Sequence, residues 1–188
     1  MIEQFKFLAE DLKRWKCSSL KSLFYYLFEQ AIWGTIFYRI SRALFLINIP
    51  VLKILLRLIA FFIFKFSESI FGVSIPPATE IGPGLYIGHA GLVMLNDQVK
   101  AGKNLSIGPG VLIGMRGGGS PGAPVIGDDV YVGVGAKILG KITVGNNVRI
   151  GANSVVVGNV PNNVTMFGVP AKVVGPVFSF KKKKESEQ

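Results

Sequence analysis

Residues 126–160 read IGDDVYVGVGAKILGKITVGNNVRIGANSVVVGNV, and their spacing decides the fold. Ile126, Val132, Ile138, Val144, Ile150 and Val156 recur every six residues, and four of these six are followed directly by Gly. Four positions after each stands Val130, Ala136, Ile142, Val148, Ser154 or Val160, all apolar or small. A period of six suits neither an amphipathic helix nor an alternating strand. It suits a triangular coil, in which each unit supplies one short strand and one corner. Three units then close a turn of about 18 residues, and the aliphatic residues stack inward as turns repeat. Glycine at the second position permits the tight corner.

Upstream the same units return less cleanly. Ile81-Gly-Pro-Gly-Leu-Tyr86 and Ile87-Gly-His-Ala-Gly-Leu92 are consecutive, and Ile107-Gly-Pro-Gly-Val-Leu112 is another. Counting by sixes from Ile87 places Asp97, Lys103 and Pro109 where small apolar residues are wanted. Restarting at Ala101 puts Leu105 and Val111 there instead, so two extra residues are expected within 93–100. The stretch 115–124 is too rich in Gly and Pro for a strand and is expected to project as a loop. It lacks the Lys-Ser/Thr ending of a nucleotide-binding P-loop, and no helix-forming run follows it.

Composition divides the chain into segments. Residues 1–71 are oily and aromatic, residues 72–176 are rich in Gly and Val with three aromatics, Tyr86, Tyr131 and Phe167, and 177–188 form a basic tail. The net charge of +10 admits nucleic acid, anionic lipid or a phosphorylated ligand as partner. Nucleic acid is set aside, because the ten bases and four acids of residues 1–66 lie in aliphatic and aromatic sequence without a recognition motif. Residues 24–66 are nearly all apolar but interrupted by charge, and Pro50 splits them. Lys53 and Arg57 fall four apart on one helical face, which suits a helix lying in the membrane interface, with the charged heads reaching for lipid headgroups. A spanning helix and helices packed only on protein are the alternatives. Phe178, Phe180 and Lys181 to Lys184 have the composition that anionic leaflets attract, and equally that of a solvated terminus. Cys17 is the single cysteine, so no intramolecular disulfide forms and nothing requires an oxidising compartment. The first twenty residues contain no continuous apolar core and do not read as a cleaved signal. A cytoplasmic protein, peripheral on the inner face of the cytoplasmic membrane, is expected.

His89 is the only histidine. On a coil corner it would be held firmly, and an imidazole with an ordinary titration near neutrality serves as a general base. Taken alone, a solitary histidine is more often an ordinary surface or core residue.

Three segments carry a resemblance. Ile81-Gly-Pro-Gly-Leu-Tyr-Ile-Gly-His89, the run from Ile126 to Gly140, and Gly168-Val-Pro-Ala-Lys-Val-Val174 make residues 72–176 similar to the carboxy-terminal half of the serine acetyltransferase family, a branch of the hexapeptide-repeat acyltransferases. The resemblance implies a mainly β chain with a left-handed parallel β-helix, preceded here by an apolar α-helical segment. It also implies a homotrimer, acetyl-CoA as co-substrate and no metal. His89 falls on the family's catalytic histidine, and the slipped coil is expected to bring Asn96 or Asp97 near enough to orient it or the acceptor, with ordinary turn residues as the alternative. By position, Gly114, Gly133, Gly135, Ala136 and Ala152 would line the pantetheine arm, with Arg116, Lys137 or Lys172 near the phosphates. Plain coil geometry accounts equally well for those glycines and alanines.

The departures lie on the acceptor side. Ser74 stands where the family has the aspartate that pairs with the histidine, Gly88 replaces the preceding acid, and Ala123 replaces a second histidine. The family's large helical domain is also expected to be missing, its place taken by the oily segment. The short apolar amino terminus and the Gly122 to Gly127 stretch resemble acetyltransferases of exopolysaccharide, capsule and colanic-acid biosynthesis. The expected reaction is therefore acetyl transfer to a saccharide or lipid-linked glycan hydroxyl at the membrane surface. The alternatives are a serine O-acetyltransferase and a non-catalytic β-helix scaffold.

Overall fold

The computed structural model describes residues 2–15, 24, 26, 28–118 and 121–177; Cys17 and the lysines of the tail lie outside this set. Among the described residues the helices that come first include α1 (Ile2–Arg14), α2 (Gln30–Phe45) and α3 (Lys53–Phe71). α3 closes on Gly72, whose left-handed backbone (φ 63°) donates its N–H to the Glu68 carbonyl, a helix ending that glycine adopts without strain.

A three-sided parallel β-helix follows. Its first face carries β1 (Val73–Ser74), β4 (Val93–Leu95), β7 (Leu112–Gly114), β10 (Lys137–Leu139) and β13 (Val155–Val156). The second carries β2 (Glu80–Ile81), β5 (Lys100–Ala101), β8 (Val125–Ile126) and β11 (Thr143–Val144). The third carries β3 (Tyr86–Ile87), β6 (Ser106–Ile107), β9 (Tyr131–Val132), β12 (Arg149–Ile150) and β14 (Val164–Gly168), and ends on the antiparallel β15 (Ala171–Pro176). Ile126, Val132, Ile138, Val144, Ile150 and Val156 all point inward and are buried. Ala136, Val148 and Ser154 fill the space between them at the corners, where a larger side chain would not fit between adjacent aliphatics.

Register shows where the period slips. From β8 onward partners are one regular turn apart: Ile126 pairs with Val144, Val132 with Ile150 and Ile138 with Val156. In the first turn Val73 pairs with Val93, Ile81 with Ala101 and Ile87 with Ile107, two residues more than that turn. Leu95 with Ile113 is again regular. The two surplus residues therefore lie in 88–92, not within 93–100 as the spacing suggested. The count by sixes treats Val93 as the large aliphatic of its unit. The structure makes it the small one, with Leu95 in the large position, because only that choice buries both. The surplus at 115–124 is as expected, returning to the coil at Ala123, which is buried.

Hydrogen bonds between turns run in both directions. Glu80 N donates to Val99 O, Gly82 N to Ala101 O and Tyr86 N to Leu105 O, while Asn104 N donates back to Pro83 O and Gly110 N to Gly91 O. The first turn has no strand above it, so its outward carbonyls and N–H groups need partners from outside the coil. The helices supply them. Arg39 donates to Ile81 O (2.8 Å) and Gly82 O (2.7 Å), Arg42 to Pro77 O and Ala78 O, Arg14 to Gly84 O (2.6 Å), and the Tyr38 hydroxyl to Thr79 O (2.8 Å). Arg39 is itself buried and paired with buried Asp11 (2.7 Å), whose other oxygen accepts the Gly84 and Leu85 N–H groups. Burial pushes the Asp11 carboxyl up, against the opposing pull of Arg39 and those two N–H groups, and pushes the Tyr38 hydroxyl to about 12. Arg39 and Arg42, which interrupt the apolar run, therefore serve the protein's own backbone.

Removing one partner of this pair leaves an uncompensated buried charge. Asp11→Ala is expected to cost about 3–5 kcal/mol. Thermal unfolding followed by circular dichroism should show the midpoint falling by roughly 6–20 °C; an unchanged midpoint would mean that the pair does not hold the helices to the coil.

Candidate functional site

His89 occupies the corner between the third and first faces of the first turn. Between Ile107 and Val111 the corner has three residues, 108–110, whereas between Ile87 and Val93 it has five, 88–92. The enlargement bends the chain sharply: Gly91 has φ 123° and Leu92 has φ 51°, a conformation an L residue with a branched side chain rarely adopts. The result is an outward loop from which the imidazole projects, 78% exposed. A regular corner would keep that side chain closer to the coil wall.

Among the described residues, the carboxylate paired with His89 is one that the sequence did not single out. Glu29 Oε1 lies 3.9 Å from His89 Nδ1, at the amino end of α2. The two residues are 60 apart in the chain, and no local pattern connects them. Ser74 is otherwise engaged: its hydroxyl donates to Glu68 Oε1 at 2.8 Å. Lys65 and then Ser74, by hydrogen bonding, hold the Glu68 carboxyl below its usual range.

The expected site residues separate into two groups. The corner bearing His89 continues downward through 108–110, 133–135 and 151–153, joined by hydrogen bonds from Gly110 N to Gly91 O, Gly135 N to Pro109 O and Asn153 N to Val134 O. This edge brings together His89, Gly133, Gly135, Lys137 and Ala152; Lys137 Nζ donates to Gly135 O at 3.0 Å. At about 4.8 Å per turn, Ala152 lies three turns, roughly 14 Å, below His89. Asn96, Asp97, Gly114 and Arg116 stand at the opposite edge of the first face. With β4 (Val93–Leu95) intervening at about 3.3 Å per residue, Asn96 is on the order of 10 Å from the His89 corner. Within one chain neither Asn96 nor Asp97 is brought to the imidazole. The Asn96 side chain accepts the Gln98 N–H (3.0 Å), and its carbonyl accepts from Val99 N and Thr79 Oγ1, the bonding of a turn residue.

One further expectation changes. Ala136 is fully buried inside the coil, so its methyl group cannot line an external groove. Lys172 is exposed on the terminal β14–β15 hairpin, opposite Phe167. Ala123, which stands where the resembled family has a second histidine, is buried against the core. Among the described residues, no three His, Cys, Asp or Glu side chains group as metal ligands would.

Gly133 has a structural reason of its own. A Cβ there would fall 2.8 Å from Ala152 N and 2.9 Å from Ile150 O, both backbone atoms of the next turn. Gly133→Ala should therefore lower stability by about 1–3 kcal/mol through overpacking. Gly158→Ala, with open space around the added carbon, should be close to neutral. Denaturant midpoints would compare the two, and equal midpoints would remove the packing requirement from the corner.

Comparison with known proteins bears on these observations. The family description "Bacterial transferase hexapeptide (six repeats)" matches residues 123–158. A serine acetyltransferase of Mycobacterium tuberculosis is 40% identical over 120 residues, covering 63% of this chain and 52% of that protein. The chain spans about half the length of the curated relatives it matches. Among solved structures, serine acetyltransferase from Brucella abortus strain S19 in complex with coenzyme A matches with a TM-score of 0.81 at 31% identity, covering 94% of this chain and 69% of that one. The Neisseria gonorrhoeae serine acetyltransferase in complex with serine matches with a TM-score of 0.77 at 32% identity, covering 93% and 70%. Such coverage takes in the helices as well as the coil, so the oily segment is not a replacement unrelated to the family. The relatives also overturn the expected saccharide acceptor: they are named serine acetyltransferases, and nothing among them supports the exopolysaccharide subgroup.

Proposed function

We propose, since the chain belongs to the hexapeptide-repeat acyltransferase family, that it is an acetyl-CoA-dependent O-acetyltransferase whose acceptor is the hydroxyl of serine. The observation that carries this reading is the single imidazole projecting from an enlarged corner at the top of a glycine-lined edge. The names of the relatives supply the acceptor, and neighbouring structures in complex with coenzyme A and with serine support the two substrates.

In this reading His89 Nε2 takes the proton of the acceptor hydroxyl, whose oxygen attacks the thioester carbonyl. The tetrahedral intermediate collapses with cleavage of the carbon–sulfur bond. The imidazolium returns its proton to the departing thiolate, leaving an O-acetyl ester and free CoA. The exposed corner edge formed by Gly133, Gly135 and Ala152 is where an extended pantetheine arm would lie, and Lys137 is the nearest cation on that edge for the phosphates. The opposite edge, with Gly114 and Arg116, would complete the groove from a second copy if three left-handed coils associate as a homotrimer. Thiol release from acetyl-CoA with serine is the expected activity, and His89→Ala should lower kcat by about 10²- to 10⁴-fold. No release with serine would discard the acceptor, and an unaffected His89→Ala chain would discard the base.

A second observation favours work at a lipid surface. Ile54, Leu58, Phe62, Phe66 and Ile70, four apart along α3, are each at least half exposed, forming an apolar stripe. Among the described residues no helix is long and apolar enough to cross a membrane. An interfacial helix is the arrangement such a stripe suits, with Lys53 beside it, and the inner face of the cytoplasmic membrane is the surface we assign. The chain should float with vesicles containing anionic lipid, and the Ile54→Ser, Leu58→Ser, Phe62→Ser triple variant should remain in the soluble fraction. Failure of the parent chain to float would remove the membrane from the account.

A further inference from the structure

We infer that Glu29 is the positioning residue of His89, a carboxylate delivered by the helical segment to the histidine of the coil. This rests on the proposed reaction, in which Nε2 must be bare to accept a proton. A base projecting into solvent needs its ring orientation and its tautomer fixed by a partner at the other nitrogen. Residue 74 cannot be that partner, because it is a serine whose hydroxyl is committed to Glu68. Position 88, a glycine, has no side chain to offer.

Glu29 meets the requirements. Its Oε1 faces Nδ1, the nitrogen that must carry the hydrogen if Nε2 is to be the base. Its carboxylate is 24% exposed against 78% for the imidazole, so the acid is the more enclosed member of the pair. It stands at the N-cap of α2, yet its side chain makes no capping hydrogen bond and stays available. The backbone beneath it is held by Glu29 N to Tyr26 O and Ile32 N to Glu29 O. One turn along α2, Trp33 and Phe37 begin the aromatic packing that joins this helix to α3. At 3.9 Å the two groups stand in ion-pair range.

The placement follows from the fold. His89 belongs to the first turn, the one whose carbonyls are covered by Arg39 and Arg42 of α2. Docking α2 on that turn brings its amino end to the histidine corner. The enlargement at 88–92 carries the imidazole outward to meet it.

His89 is the sole histidine, so the imidazole signals of the untagged, ¹⁵N-labelled full chain are assigned without ambiguity. In long-range ¹H–¹⁵N spectra of the neutral ring, the parent chain should be mainly Nδ1–H. Glu29→Ala should convert it to a mixture enriched in Nε2–H, and Glu68→Ala should leave it as in the parent. With acetyl-CoA and serine, Glu29→Ala should lower kcat on the order of 10- to 100-fold with KM for acetyl-CoA changed less than about twofold, and Glu29→Asp should recover part of the loss. Circular dichroism of each variant separates these effects from unfolding. An unchanged tautomer in Glu29→Ala overturns the assignment, whatever the turnover. A changed tautomer in a chain that acetylates nothing supports the pairing and overturns the reaction instead.

Discussion

The first turn of a parallel coil has no strand above it, so its outward backbone groups, carbonyls above all, lack partners within the coil, and the rest of this molecule is arranged around satisfying them. Three arginines and a tyrosine reach down from the helices to do so. Bringing Arg39 into a buried position requires a counterion, and Asp11 provides it while also accepting two N–H groups of the same turn. The cap is thus a network in which each member satisfies another, and its geometry allows the helices little freedom over the coil. Where α2 begins, and hence where Glu29 lies, is a consequence of that docking.

A second constraint acts along the coil. Each turn must return to register so that interior aliphatics stack and the hydrogen bonds close. Surplus residues cannot be absorbed within a face and are expelled at corners. Two expulsions result, the five-residue corner 88–92 and the loop 115–124. The first carries the imidazole. The same rigidity that makes the coil regular makes its irregular corners firm platforms, since strain at Gly91 and Leu92 is held in place by the regular turns on one side and the helical cap on the other.

In the proposed reaction these two constraints divide the labour. The coil offers an edge of small residues for the acyl donor, where glycine is required by the close approach of successive turns before any ligand is considered. The helices offer the charged group that the coil lacks, because position 74 has become part of a serine, glutamate and lysine chain of its own.

The six-residue period, the inward aliphatics from Ile126 to Val156, the loop at 115–124 and the singular histidine were all legible from the chain alone, because each is a property of residues close in sequence. The exact seat of the surplus residues was not: periodicity cannot tell which of two adjacent apolar residues, Val93 or Leu95, takes the large position until the neighbouring turns are stacked against them. Nor could sequence show that Arg39 and Arg42 face backbone carbonyls, or that Asn96 and Asp97 sit a face away from His89. The meeting of Glu29 with His89 belongs wholly to tertiary structure, since it joins a helix terminus to a coil corner through a docking geometry set by groups, such as Asp11 and Ile81, that are distant from both. Local repetition determined the scaffold; the coil's unsatisfied edge decided what stands beside its histidine.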